Sequence, residues 1–145
     1  QIFCWRWRRS LRRVRGILHG TFTFTMGAQL FERLSSWAET SPGLSQWREA
    51  ALSSGDLLRA RFRCLEEIES VRYSLRDLQY ASGRLKWLTG SGARLVRQLE
   101  QAIAKTERHI SKHRHTVLAS PYGRLLEAHN RELRQARHTY GPGHG

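Results

Sequence analysis

The sequence predicts an all-α protein whose spine is a long antiparallel helical hairpin, with short N-terminal helices and a third helix at the C-terminal end. Three observations lead there. Apolar residues recur at steps of three and four along two long stretches between residues 56 and 118. The Thr89-Gly90-Ser91-Gly92 segment separates the two stretches with residues suited to a flexible turn. Strict alternation, the mark of a half-buried strand, is confined to Thr21-Phe22-Thr23-Phe24-Thr25.

The second arm carries the cleaner pattern. Val96, Leu99, Ile103, Thr106, Ile110, His113 and Val117 form a heptad seam, with β-branched residues repeating at one of its two positions. The first arm answers with Leu58, Phe62, Leu65, Ile68, Val71, Leu75, Leu78, Leu85 and Leu88. The predicted seam interface is therefore Leu58, Phe62, Leu65, Ile68, Leu75 and Leu78 against Val96, Leu99, Ile103, Ile110 and Val117. An arm of thirty residues is roughly 45 Å long. Its apolar surface needs cover from chain ends folded back onto it or from other chains.

Residues 1–25 differ from the rest. They hold Arg6, Arg8, Arg9, Arg12, Arg13 and Arg15 and no carboxylate, the first being Glu32. Phe3, Trp7, Leu11, Val14 and Leu18 fall at helical spacing. An arginine-rich, acid-free amphipathic start resembles a mitochondrial targeting segment. Over residues 1–20 it also suits an anionic membrane surface or a phosphate-binding arm. A third reading makes Met26 the true start, with residues 1–25 as upstream translation; Phe31 would then spoil the N-myristoylation motif. Thr21–Thr25 reads as an extended linker, or as a lone edge strand for a partner's sheet.

Residues 26–55 are expected to form two short amphipathic helices that cap the hairpin. Gln29 to Glu39 places Leu30, Phe31, Leu34 and Trp37 on one face, and Pro42 opens the next helix, which carries Leu44, Trp47, Ala51 and Leu52. Residues 56–118 are the hairpin, with Asp56 as the expected N-cap of its first arm. Residues 119–145 hold a C-terminal helix opened by Ser120-Pro121, with Leu126, His129, Leu133, Ala136 and Tyr140 as a thin seam, and then a flexible tail.

Of the 25 basic residues, 22 are arginines, against 12 acids and a net charge of +13. Arginine's planar fork suits phosphates and carboxylates, so nucleic acid, anionic lipid and acidic protein are the expected partner classes. The candidate phosphate contacts are Arg6, Arg8, Arg9, Arg12, Arg13 and Arg15 in the N-terminal arm and Arg108, Lys112 and Arg114 beside the histidines of the second arm.

No catalytic set, cofactor motif or small-molecule substrate is expected. Glu66, Glu67 and Glu69 read as a solvated ion-pair face, with Arg59, Arg61, Arg63, Arg72 and Arg76 within helical reach. His109, His113 and His115 lack a further ligand and sit among cations, which argues against a metal. Cys4 and Cys64, alone and sixty residues apart, are read as reduced thiols. No apolar run is long enough to span a bilayer. The expectation is a non-enzymatic structural subunit of a large assembly, foremost a mitochondrial ribosome, with RNA and neighbouring subunits as partners. The alternative is a helical scaffold in a mitochondrial membrane complex or a cytoskeletal coiled-coil component. Cations gathered on one face would favour RNA, and cations paired singly with acids would favour protein contacts.

Overall fold

The computed structural model describes the backbone of residues 2–5 and 10–140 and the side chains of residues 13–140. Two short strands, β1 (Ile2–Trp5) and β2 (Ser10–Arg13), pair antiparallel with Ile2 opposite Arg13. The elements that follow among the described residues are helices: α1 (Val14–Ala38), α2 (Ser41–Glu49), α3 (Ser54–Gly83), α4 (Gly90–Ile110), a 3-10 turn (Ser111–His113), α5 (Arg114–Leu118) and α6 (Tyr122–Tyr140). The all-α class predicted from periodicity is the class observed.

The largest departure from expectation is α1. Thr21–Thr25 is neither linker nor strand but the middle of a 25-residue helix. The helical period there is carried by small residues rather than large ones. Val14, Ile17, Gly20, Thr21, Thr25, Ala28, Ser35 and Ala38 form the buried face. Thr21 and Thr25 satisfy their hydroxyls within the helix by donating to the carbonyls of Ile17 and Thr21, each at 2.7 Å. A face of Gly, Ala, Ser and Thr lets a neighbouring backbone come close. Cys64 Sγ reaches Ala28 O at 3.3 Å, and Arg61 Nε donates to Ser35 Oγ at 2.9 Å. Residues 14–25 are therefore part of the core, not an appendage ahead of Met26. The helix expected from residue 3 through residue 18 starts only at Val14.

Helix α3 is the hub, and it touches each of the other three long helices. Its start is a capping box: Ser53 Oγ accepts from Asp56 N at 3.1 Å, while Asp56 accepts from Ser53 N at 2.7 Å. Asp56 thus holds the third helical position, and Ser53 is the cap. The arm stops at Gly83 instead of running to Leu88, and residues 84–89 form the connection, with Lys86 in the left-handed region at φ 55°. Gly90-Ser91-Gly92 is the first turn of α4, because Thr89 Oγ1 accepts from Gly92 N at 3.1 Å and caps it.

The predicted hairpin exists as α3 and α4, but it is one part of a larger bundle. Val96, Leu99, Ile103 and Ile110 are buried on α4, and Leu65, Ile68, Leu75 and Leu78 on α3, with Phe62 beside them and Leu58 partly buried. The seam breaks after Ile110, where Ser111 Oγ donates to Arg108 O at 2.8 Å in a tightened turn. Val117, fully buried, belongs to α5. Helix α1 packs along α3 more extensively than α4 does, and α1 also touches α4. The seams thus close within one chain.

Helix α6 runs parallel to α3 at a nearly constant offset. The pairs are Phe62 stacked on Tyr122 at 4.9 Å, Ser70 with His129 at 2.8 Å, and Asp77 with Arg137 at 2.5 Å. Leu126 and Leu133 anchor it in the core. The buried Cys64 is a free thiol whose pKa is pushed up to about 12 by burial and by the nearby Glu32 and Glu67. Among the described residues, no helix is long and apolar enough to cross a membrane.

Candidate polyanion-binding surfaces

The cations fall into two populations. The first lies between helices and is matched with acids. Glu39, at the end of α1, takes Lys112 Nζ at 2.6 Å and His113 Nε2 at 2.5 Å, with Arg61 at 3.6 Å. Partial burial pushes the Glu39 carboxyl up, but the hydrogen bonds from Lys112 and His113 outweigh it and hold the pKa below its ordinary value. Arg72 of α3 pairs with Glu107 of α4, and Arg114 of α5 with Glu69 at 3.1 Å. Arg137 of α6 grips Asp77 Oδ1 and Tyr73 O, each at 2.5 Å, and its guanidinium lies 4.1 Å from the Tyr73 ring centroid.

The acidic cluster of α3 belongs here too, and it is not the solvated face expected. Glu67 is 2 % exposed. Arg63 bonds Glu66 at 2.6 Å and Glu67 at 2.8 Å, the only arginine of the expected five to serve the cluster from its own helix. Burial raises the Glu67 pKa to about 7, with Arg63 pulling it down and Glu66 pushing it up.

The second population faces solvent. On α4, Arg94, Arg97, Lys105 and Arg108 recur at steps of three and four, with Gln101 filling the gap, and all five are exposed. At about 100° per residue this stripe lies roughly half a turn from the buried seam. The acids of α4, Glu100 and Glu107, fall off the stripe, and Glu107 is turned toward Arg72. None of the four cations has an ion-pair partner among the described residues. The stripe is roughly 21 Å long at the α-helical rise.

Of the predicted phosphate contacts, Arg108 therefore stands as an open cation, whereas Lys112 and Arg114 are engaged by Glu39 and Glu69. Arg13 and Arg15 are exposed. Arg6, Arg8, Arg9 and the Arg12 side chain lie outside the described residues. Arg94, Arg97 and Lys105 were missed, although the signal was present: a cationic period in phase with the seam but on the opposite side.

A second basic feature has no linear signature. Helices α3, α5 and α6 enclose a cleft of about 390 Å³ lined by Arg72, Arg76, Arg114, Arg134 and Arg137, with Glu69, Tyr73, Asn130 and Leu133.

The fold also gathers Ser70, His129 and Glu66, a set spread too widely in sequence to be read there. Ser70 Oγ lies 3.0 Å from Glu66 O and 2.8 Å from His129 Nε2. Ser70 and His129 are 2 % and 5 % exposed, which closes the hydroxyl to a substrate. His113 and His109 each face a carboxylate of α1, Glu39 at 2.5 Å and Glu32 at 3.8 Å. Comparison with known proteins finds no matching family model, curated sequence or solved structure.

Proposed function

We propose that the protein is a non-enzymatic structural subunit of a ribonucleoprotein, in the first place a mitochondrial ribosome, and that it lays α4 along RNA phosphates. The observation that carries this reading is the α4 stripe. Four exposed cations in register, with no ion-pair partner among the described residues, suit a run of backbone phosphates and release its counterions on binding. The contact reads charge and shape rather than sequence. Arginines that hold the bundle together are neutralised locally, and the stripe gathers four exposed cations on one face of one helix. The mitochondrial address rests on the arginine-rich, acid-free start. With α1 built into the core from Val14 onward, that signal is left to the residues ahead of it.

One observation favours the second reading, a helical scaffold within a protein complex. Phe22, Met26 and Leu30, one turn apart on the outer side of α1, are 43 %, 43 % and 56 % exposed, and Trp37 continues the row at 37 %. An apolar row of this kind suits contact with another protein. Isolation of the native particle with and without nuclease separates the two. Release of the protein from its particle on RNA digestion is the expected result. Retention in a large complex after digestion would transfer the assignment to the scaffold, and migration as a small free species in both samples would remove both.

A further inference from the structure

We propose that the cleft between α3, α5 and α6 is a binding site for a small molecule carrying a dianionic phosphate, such as a sugar phosphate or a mononucleotide. This goes beyond the RNA reading and uses residues other than the α4 stripe.

The charge balance of the cleft defines its ligand. Three of its guanidiniums are held by carboxylates: Arg72 by Glu107, Arg114 by Glu69, and Arg137 by Asp77. Arg76 of α3 and Arg134 of α6 line the same cleft, are exposed, and have no ion-pair partner among the described residues. Two like charges brought to one cleft from facing helices repel, and an anion between them removes the repulsion. Two uncompensated positive charges call for a dianion. A phosphate monoester fits, because each guanidinium fork matches two of its oxygens.

The wall is polar as well as charged: the Asn130 amide lines it beside Arg76 and Arg134 and offers a further N–H donor to a ligand oxygen. The size agrees: about 390 Å³ exceeds a bare phosphate and falls within the range of small-molecule sites, roughly 300–1,000 Å³. Tyr73 is covered by Arg137, so the ligand is held by its phosphate and hydroxyls rather than by stacking.

The test is calorimetric titration of the full chain at near-physiological salt with adenosine monophosphate, a hexose phosphate and adenosine. Saturable one-to-one binding of at least one phosphate ester, and none of adenosine, is expected. Arg76→Gln and Arg134→Gln, both at exposed positions without ion pairs, each weaken that binding roughly tenfold. Arg97→Gln on α4 changes the net charge equally and leaves it unaltered. Two results overturn the proposal: no saturable binding of either ester, or the same loss in Arg97→Gln as in the cleft variants. Thermal melts of the variants confirm that the fold is intact, and RNA binding, read separately, is weakened by Gln on the α4 stripe and unchanged in Arg76→Gln and Arg134→Gln.

Discussion

Arg137 and Arg97 carry the same guanidinium in opposite electrostatic situations. Arg137 is pressed between α3 and α6, bonded to a carboxylate that is itself buried, with an aromatic ring beneath it. Arg97 is exposed on the outer side of α4 and has no ion-pair partner among the described residues. The bundle interior turns arginine into a structural fastener, whose removal strands a buried acid. The outer face leaves arginine as charge available to a partner. A net charge of +13 conceals this division, and the division shows which cations to test for stability and which for binding.

The largest effect is expected inside. Arg137→Ala leaves Asp77 buried and unpaired, and burial already pushes the Asp77 pKa up against the pull of Arg137. The expected loss is about 3 kcal/mol in urea denaturation. The double variant Arg137→Met with Asp77→Leu sharpens the point by recovering most of it, since no charge is then stranded. If the single variant is as stable as the wild type, the fastener account of the interior is wrong.

Next comes a pH effect at Glu67. Its folded pKa, about 7, lies above the ordinary 4.5, so the native state keeps a proton that the unfolded chain releases. Stability therefore falls as pH rises from about 4.5 to about 7 and levels off above. Glu67→Gln abolishes that fall. Relative to wild type it should gain about 3 kcal/mol between pH 4.5 and pH 8 in denaturation curves at the two pH values. A variant with the unaltered slope would mean that Glu67 is ionised in its site.

A smaller loss, about 0.5–1 kcal/mol, is expected for Arg114→Ala, whose pair with Glu69 is partly exposed. The smallest belongs to the outer stripe. Gln at Arg94, Arg97, Lys105 and Arg108 together should move stability within about 0.5 kcal/mol per site, since these heads are exposed and have no ion-pair partner among the described residues. A cooperative loss of stability in that variant would erase the distinction between the two populations.

How far the sequence disclosed this arrangement depended on residue size. The seams of α3 and α4 were readable because Leu, Ile and Val mark a helical period unmistakably. The face of α1 was hidden because its period is written in Gly, Ala, Ser and Thr, which composition assigns to turns and linkers. The Thr-Phe alternation misled because a threonine that bonds its own helix is as comfortable buried as a valine. Asp56 reads as a cap in the sequence because the better cap, Ser53, sits in a run of small polar residues. The fate of Lys112 and Arg114 was decided by Glu39 and Glu69, distant in sequence and adjacent only after folding. The cleft draws on α3, α5 and α6 at once and has no local pattern. The α4 stripe was readable, and needed only the question of what lies opposite a seam.

The most direct test of the outer stripe as an RNA contact is the salt dependence of RNA binding. Fluorescence anisotropy would compare the wild type, the four-site Gln variant of α4, and a charge-matched control with Gln at Arg48, Arg59, Arg124 and Arg131, all exposed elsewhere. With about 0.7 counterions released per single-stranded phosphate contact, the stripe variant should lose roughly 3 from the slope of log affinity against log salt, and the control should keep the wild-type slope. Equal losses in the two variants would show that RNA senses only the total charge, and the directed contact along α4 would be refuted.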